Sequence, residues 1–178
     1  MGLLIWLPLH GNLNNYGSLP ITFSLVTTGG GVAAASSGGQ TTANCYQRTT
    51  ANTVSPITSS STVNLDGDFT MACWCYPTTP GAQTSANGII TNHDHSYNSG
   101  KGSGAGITLR YDDADATKCY MSCNTATSSG RTYRDYYGTT NIYGAWHHLC
   151  LTFKKVSKTY RLYVDGICEK EFTCDNVA

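Results

Sequence analysis

The feature that most constrains the fold is a two-residue alternation of side chains, which recurs in several short segments. In FTMACWCY, every second residue of Phe69–Cys75 would share one face of an extended chain, and the intervening residues would share the other. In HLCLTF, the residues Leu149, Leu151 and Phe153 repeat the pattern. Because the side chains of a strand point alternately to opposite faces, this period predicts β-strands.

Turn-forming residues separate the alternating segments. The run DDAD at 112–115 lies between GITLRY and KCYMSC, and Asp165–Gly166 follows TYRLYV. Short strands joined by such turns predict an all-β protein, either a β-sandwich or a jelly roll. The length of 178 residues suits a single domain over 1–178, with an irregular Gly/Ser/Thr-rich loop at about 27–44.

Charge and hydropathy exclude several classes of partner. The formal net charge is zero and 12% of the residues are charged, so the sequence lacks the basic surface of a nucleic-acid binder. The apolar start MGLLIWLPL is too short to span a bilayer and has no basic residue before its apolar run. It is interpreted as the first strand of the fold, and no membrane insertion is expected.

The eight cysteines allow two interpretations. An even number is typical of a disulfide framework in a secreted chain. However, Cys73 and Cys75 are two residues apart on one strand face, a spacing of about 6.6–7 Å that is at the limit for a bridge. We favour packed free thiols and a reducing compartment, and keep the disulfide framework as the alternative.

Three segments resemble laminin-G-like domains of the concanavalin A-like lectin/glucanase superfamily, of the kind found in phage virion structural proteins. They are LPLHGNLNNYG, DFTMACWCYP and WHHLCLTFKK followed by YRLYVDG. The resemblance implies an antiparallel jelly-roll sandwich of two curved sheets. It also implies a structural signature, in which the ring of Trp146 caps the sheet edge and the imidazole of His148 bonds to the main chain. The signature residues are Trp74, Trp146, His148, Asp165 and Gly166.

Members of this group normally continue with further strands after the Val-Asp-Gly turn, whereas only ICEKEFTCDNVA follows here. We therefore expect that the final strands are missing, either because the sequence is a fragment or because a partner chain supplies them. An open sheet edge favours strand addition.

Histidines, cysteines and aspartates form several candidate metal sites. His147 would face away from His148 and Cys150 on a strand, so these three residues are interpreted as structural. The loop residues His93, Asp94 and His95 are a weak candidate for zinc, and Asp112, Asp113 and Asp115 for calcium. Neither group supplies a complete ligand set, so no cofactor is expected, with calcium kept as the candidate.

Catalytic signatures are missing from the sequence. A glycosidase needs two carboxylates roughly 5–9.5 Å apart. The resemblance adds that glucanases of this superfamily carry a Glu-x-Asp-x-(x)-Glu motif on one strand. The two glutamates here, Glu169 and Glu171, lie in no such motif, and no Gly-x-Ser-x-Gly elbow occurs. We therefore predict that the protein is not an enzyme.

The stretch SSGRTYRDYYGTTNIYG at 128–144 is interpreted as a tyrosine-rich connection and is the main candidate for ligand binding. Such side chains suit both sugars and protein interfaces. The candidates are Arg131, Tyr133, Arg134, Tyr136, Tyr137 and Tyr143. We predict a structural or adhesion module of a multi-subunit particle, a bacteriophage fibre, decoration or tail component assembled in the host cytoplasm. Its partners would be other particle subunits, including copies of itself. The alternative is a lectin-like module that binds a cell-surface glycan for host attachment, with a glycoside hydrolase as a weaker alternative.

Overall fold

The computed structural model describes residues 3–9, 12–25, 32–35, 45–48, 57–61, 63, 65, 67–77, 87–91, 104–109, 119–127 and 130–173. The chain divides into two compact units, Met1–Val63 and Asn64–Ala178. Across the described ranges the secondary structure consists of strands, turns and irregular segments, and no helix there could cross a membrane. Every strand pair among the described residues is antiparallel, which confirms the predicted all-β antiparallel class.

Twelve strands are described, numbered in chain order. They are β1 Phe23–Leu25, β2 Val32–Ala35, β3 Cys45–Arg48, β4 Ile57–Ser59, β5 Phe69–Cys75, β6 Asn87–Thr91, β7 Gly104–Leu109, β8 Cys119–Thr127, β9 Gly130–Tyr137, β10 His147–Lys154, β11 Thr159–Val164 and β12 Ile167–Thr173.

The first unit contains two two-stranded sheets, β1 with β4 and β2 with β3. Strand β2 lies inside the stretch 27–44 that was predicted to be an irregular loop. The prediction of a first strand before Leu9 was wrong, because the described residues there form an irregular hairpin. Its main-chain bonds run from Tyr16 N–H to the Trp6 carbonyl at 3.0 Å and from Leu19 N–H to the Leu4 carbonyl at 3.0 Å.

A side chain replaces part of the ladder in this hairpin. The Trp6 N–H donates to Oδ1 of Asn15 at 2.9 Å instead of to a main-chain carbonyl. Pro8 has no N–H to donate. Gly17 lies so close that a Cβ there would be 2.2 Å from the Leu4 carbonyl oxygen, so only glycine fits. Local side-chain bonding therefore overrode the strand tendency of the apolar run.

In the second unit, one four-stranded sheet has the order β12-β11-β10-β5. Strand β10 is central and its Leu151 lies opposite Met71 of β5 and Leu162 of β11. Leu149, Leu151 and Phe153 are buried while the residues between them are half-buried, as the alternation predicted. β10 and β11 form a hairpin, and the predicted turn at Asp165–Gly166 is confirmed.

The other four-stranded sheet has the order β6-β7-β8-β9. Pairing of β7 with β8 confirms the predicted hairpin, although its turn at 112–115 lies outside the described residues. The stretch 128–144 was interpreted as a connection, and this was wrong for 130–137, which forms β9 and pairs with Tyr120–Thr127 of β8. Its Tyr and Thr residues are types that favour strands.

Both four-stranded sheets contribute to one core. Ile107 of β7 is fully buried in the same cluster as Met71 of β5 and Leu149 of β10. Ile142, from the connection between β9 and β10, is fully buried there as well. The second unit is thus a sandwich with its apolar side chains between the sheets. The expectation that residues 1–178 form a single domain stays a prediction.

A ring cluster beside the Asp165 turn

The turn between β11 and β12 sets the position of one carboxylate. Asp165 and Gly166 have φ values of 52° and 83°, the left-handed pair that a two-residue hairpin of this kind needs. Asp tolerates this conformation better than most residues, and Gly adopts it freely. The Asp–Gly dipeptide therefore brings the Asp165 side chain back over the start of β10.

Three hydrogen bonds join Asp165 to that start. The imidazole Nδ1 of His147 lies 2.7 Å from Oδ2 of Asp165, and the His148 N–H donates to Oδ1 at 2.9 Å. The Asp165 N–H in turn donates to the His148 carbonyl at 2.9 Å. The bond from the His148 main chain and then that from the His147 ring lower the pKa of Asp165, which keeps this carboxylate ionised.

Four aromatic side chains lie at this end of the sheet, on the face opposite the core. We call Trp74, Tyr76, Trp146 and His148 the ring cluster. His148 lies opposite Trp74 in the β10–β5 register, and their ring centroids are 5.2 Å apart. One row further, Tyr76 and Trp146 meet edge to face at 5.8 Å. Trp74 is 50% exposed and Tyr76 is 45% exposed, so this end of the sheet presents aromatic surface to solvent.

The Tyr76 ring is held in place by the connection that precedes β10. Its hydroxyl donates to the Gly144 carbonyl at 2.9 Å, and the Gly144 N–H donates to the Pro77 carbonyl at 2.8 Å. Gly144 has a φ of 81°, the left-handed conformation that favours glycine. The main chain of Gly144 therefore anchors Tyr76 and Pro77, the two residues that follow β5.

Cys75, His147 and Asp165 have the residue types of a thiol-based catalytic triad. Cys75 lies opposite His147 in the strand register, and His147 bonds Asp165. Burial, and then the negative charge of Asp165, raise the pKa of Cys75 to about 12. A reactive cysteine needs the opposite shift, because the thiolate is the nucleophile. The arrangement therefore does not favour thiol catalysis, and Cys75 packs against the core.

The interpretation of packed free thiols agrees with the structure at Cys75 and Cys150 but not at Cys168, which is exposed. Cys75, Cys150 and Cys168 are free thiols. Burial also raises the pKa of Cys150, whereas Cys168 is exposed on β12. These two positions flank Tyr163 in one row of the sheet.

The two glutamates are both engaged by neighbouring groups. A β-bulge in β12 leaves Glu169 without a partner residue on β11 and turns it toward the connection after β9. There its carboxylate accepts the Thr139 N–H at 2.7 Å, the Thr140 N–H at 3.2 Å and the Thr140 hydroxyl. Glu171 pairs with Arg161 on β11.

The pKa of Glu169 reflects two opposing causes. Burial alone would raise it, but the bonds from the Thr140 hydroxyl and from the Thr139 and Thr140 N–H groups outweigh burial and lower it. A general acid at neutral pH needs a raised carboxyl pKa. Glu169 therefore has the properties of a structural carboxylate that holds a loop.

The tyrosines and arginines that were predicted as ligand-binding candidates lie in two different parts of the structure. Five of the tyrosine and arginine candidates lie on β9, whereas Tyr143 lies in the following connection, half-buried against the core. Tyr136 lies opposite Met121 of β8, and Met121 lies opposite the buried Ile107 of β7. Position 136 is therefore in the same cross-strand row as a core residue. Neighbouring positions of a strand belong to opposite faces, so position 137 shares no face with position 136.

The contact that the structure shows for the His148 ring is ring packing, and not the expected bond to the main chain. The imidazole that bonds Asp165 belongs to His147, while the His148 ring packs on Trp74 and its main chain bonds Asp165. Trp146 packs on Tyr76 as a sheet-edge ring. The ring cluster was not predicted as a surface, although the i, i+2 spacing of Trp74 and Tyr76 is a sequence signal for it.

The predicted metal ligands lie elsewhere in the chain. His93, Asp94 and His95, together with Asp112, Asp113 and Asp115, lie outside the described residues. Over the part of the chain that is described, no three His, Cys, Asp or Glu side chains are grouped as ligands for a metal ion.

Comparison with known families matches residues 48–176 to Laminin_G_3, described as the concanavalin A-like lectin/glucanases superfamily. The match covers well over half of the sequence and includes the whole ring cluster and β9. It does not extend to LPLHGNLNNYG, which had contributed to the expected resemblance. The sequence has no match among curated proteins.

Proposed function

The chain belongs to the concanavalin A-like lectin/glucanases superfamily, and from that premise we propose that it is a non-enzymatic structural or adhesion module of a multi-subunit particle. We further propose that the particle is a bacteriophage virion, in which this chain is a fibre, decoration or tail component. Its partners would be other virion subunits and copies of itself. It would assemble in the host cytoplasm and need no cofactor.

The observation that carries the proposal is the half-exposed aromatic surface of Trp74 and Tyr76. Large exposed aromatic side chains that lie next to each other are typical of recognition surfaces. Two groups of the second unit that were considered for catalysis do not suit it, because the pKa of Cys75 is about 12 and Glu169 is held by the Thr140 connection. A surface that binds without chemistry is what an adhesion or assembly module needs.

Sequence properties support the particle setting. The zero net charge and the free thiols Cys75, Cys150 and Cys168 suit a protein that assembles in a reducing cytosol. The test is the assembly state of the protein from its native source, measured by mass photometry and by labelling intact particles with an antibody. A trimer or larger assembly, with label on the particle, is the expected result. A monomer that never associates with a particle would refute the proposal.

The non-enzymatic part has its own test. The protein is incubated with a panel of neutral and acidic polysaccharides, and reducing ends and unsaturated products are measured. We expect no turnover above a heat-inactivated control. Turnover that disappears in Glu169→Gln or Glu171→Gln would identify a glycoside hydrolase or lyase and contradict the proposal.

A carbohydrate-binding function is the second candidate, and the tyrosines and arginines of β9 favour it. Tyr137 lies opposite Tyr120 of β8, whereas Tyr136 is in the cross-strand row that contains the buried Ile107. On a glycan array, Tyr137→Ala is expected to weaken binding without loss of stability. Tyr136→Ala is the matched neighbour and is expected to lower stability instead. Binding that neither Tyr133→Ala nor Tyr137→Ala changes would remove β9 as the site.

A further inference from the structure

We propose that strand β5 is a contact surface between two copies of this chain, whose β5 edges pair antiparallel with Ala72 opposite Ala72. This inference rests on the proposed function, whose partners include copies of the chain, and it names the surface and the register of that contact. Strand β5 lies at one edge of the sheet β12-β11-β10-β5, so among the described strands β10 is its one neighbour in the sheet.

The hydrogen bonds of His148 identify which main-chain groups of β5 point away from β10. The His148 N–H and carbonyl are both bonded to Asp165, so both point to the β11 side of β10. Residues of an antiparallel strand bond alternately to its two sides, so the next residue, Leu149, bonds its partner Cys73 on β5. The residues of β5 that alternate with Cys73 direct their N–H and carbonyl groups to the open edge, and they are Thr70, Ala72 and Trp74.

The open edge of β5 leaves both main chain and core incomplete. In the part of the chain that is described, no strand pairs with the edge-directed groups of β5, and the three residues that carry them are exposed. Phe69, Cys73 and Cys75 face the core but are only half-buried, whereas Leu149 and Leu151 of the central strand β10 are fully buried. An added strand would supply hydrogen-bond partners and cover the exposed side of the core.

The sequence of β5 suits pairing with itself. The strand has seven residues and contains neither a charged residue nor a proline. Two antiparallel copies are paired over their whole length only when the central residue, Ala72, lies opposite its own copy. Thr70 then lies opposite Trp74 of the partner subunit, and the edge-directed N–H and carbonyl groups of each pair can bond each other. Met71 lies opposite Cys73 of the partner subunit, so the core-facing side chains form one continuous face.

The other edge of the same sheet, β12, does not suit such pairing. It also has seven residues, and its central residue is Lys170. Pairing with itself over the whole length would place Lys170 opposite Lys170 and Glu169 opposite Glu171, and like charges directly opposite each other are destabilising. The β-bulge at Glu169 also interrupts this edge. Charged side chains and bulges protect sheet edges from pairing, so β12 is protected and β5 is not.

The first measurement is the association of the purified full chain with itself. Sedimentation velocity over a series of concentrations is expected to show a reversible equilibrium between monomer and dimer. Hydrogen–deuterium exchange in the same samples is expected to show that the amides of Thr70, Ala72 and Trp74 become protected as the dimer forms. A chain that stays monomeric at every concentration would overturn the inference. Full protection of these amides in the monomer would also overturn it, because a segment of the same chain would then occupy the edge.

Charge at position 72 tests the register. Ala72 is exposed and would lie opposite its own copy, so Ala72→Lys brings two positive charges together. We expect the dissociation constant of the dimer to rise about tenfold or more. Ala72→Glu should have the same effect, and an equimolar mixture of the two variants should restore a dimer with one copy of each. Val156→Lys is the matched control, because it adds the same charge at a position that is 92% exposed, and it should leave the dissociation constant unchanged.

Circular dichroism and thermal unfolding of each variant show that the fold is retained. A dimer that survives both charge variants, or variants that do not combine when mixed, would overturn the pairing at Ala72. Protection of the β5 amides in native particles, with the isolated chain monomeric, would assign the edge to a different subunit and overturn pairing between copies. These results do not depend on antibody labelling of particles, so failure of this inference is distinguishable from failure of the particle proposal.

Discussion

Asp165 and His148 are joined twice, once through the Asp165 carboxylate and once through the Asp165 main chain, and both bonds are 2.9 Å long. The two bonds connect the turn after β11 to the first residues of β10. They act on the His148 main chain, so they set the position of its ring on Trp74 without engaging the ring itself. Asp165 therefore forms the turn after β11 and also helps to position the His148 side chain.

Replacing Asp165 with alanine should therefore destabilise the protein. Asp165→Ala removes two accepted hydrogen bonds and places a residue with poor left-handed tolerance at a φ of 52°. We expect the free energy of unfolding in urea to fall by about 1–3 kcal/mol. Asp165→Asn keeps an acceptor oxygen and tolerates the conformation, so its loss should be clearly smaller. Equal losses in the two variants would contradict this role.

Glu169 should stabilise the protein in a pH-dependent manner. Glu169→Ala removes the acceptor for Thr139 and Thr140, and we expect a loss of about 1–3 kcal/mol at pH 7. The folded pKa of Glu169 lies below its ordinary value of 4.5. The stabilisation is therefore complete above pH 4.5 and is lost as the pH falls through the lowered folded pKa.

The matched control for this prediction is Glu171→Ala on the same strand. Glu171 pairs with Arg161 at an exposed position, where ion pairs contribute little. Unfolding is measured in urea between pH 7 and pH 3 for both variants and the original sequence. A Glu169→Ala difference that stays constant down to pH 3 would show that the ionised carboxylate is not what holds the connection.

The thiol of Cys75 should be unreactive at neutral pH. Its pKa of about 12 leaves almost no thiolate, and the strand partner His147 does not change this. With iodoacetamide at pH 8, we expect Cys75 to be modified at least ~100 times more slowly than the exposed Cys168. Peptide mass spectrometry over time measures both rates in one sample. Modification of Cys75 as fast as Cys168 would reopen the thiol-catalysis alternative.

Leu151 should be a main contributor to stability. It is fully buried on β10, between Met71 and Leu162 in the same row. Leu151→Ala is expected to lower the free energy of unfolding by about 2–5 kcal/mol. Val156→Ala is the control because Val156 is 92% exposed in the following turn, and it should change stability by less than about 0.5 kcal/mol. A loss below about 1 kcal/mol for Leu151→Ala, which is half the minimum for such a cavity, would contradict the assigned core.

The fold class and the faces of the central strands were predictable from the sequence, because alternation is a local property of an extended chain. The burial of Leu149, Leu151 and Phe153 follows directly from it, whereas the Asp165–Gly166 turn follows from the left-handed conformations that this dipeptide tolerates. The interpretation of 128–144 as a connection was wrong for 130–137, although its partner β8 ends only two residues before β9 and its Tyr and Thr residues favour strands.

Roles that depend on groups far apart in the chain needed the tertiary structure. Alternation placed His147 and His148 on opposite faces, but only the return of the chain at Asp165 decided which imidazole would meet a carboxylate. Glu169 lay in no motif, and its role came from a bulge that turned it toward Thr140. Sequence spacing determines which side of a strand a residue occupies, whereas its partners are set by how strands pair and turns return, which are long-range contacts.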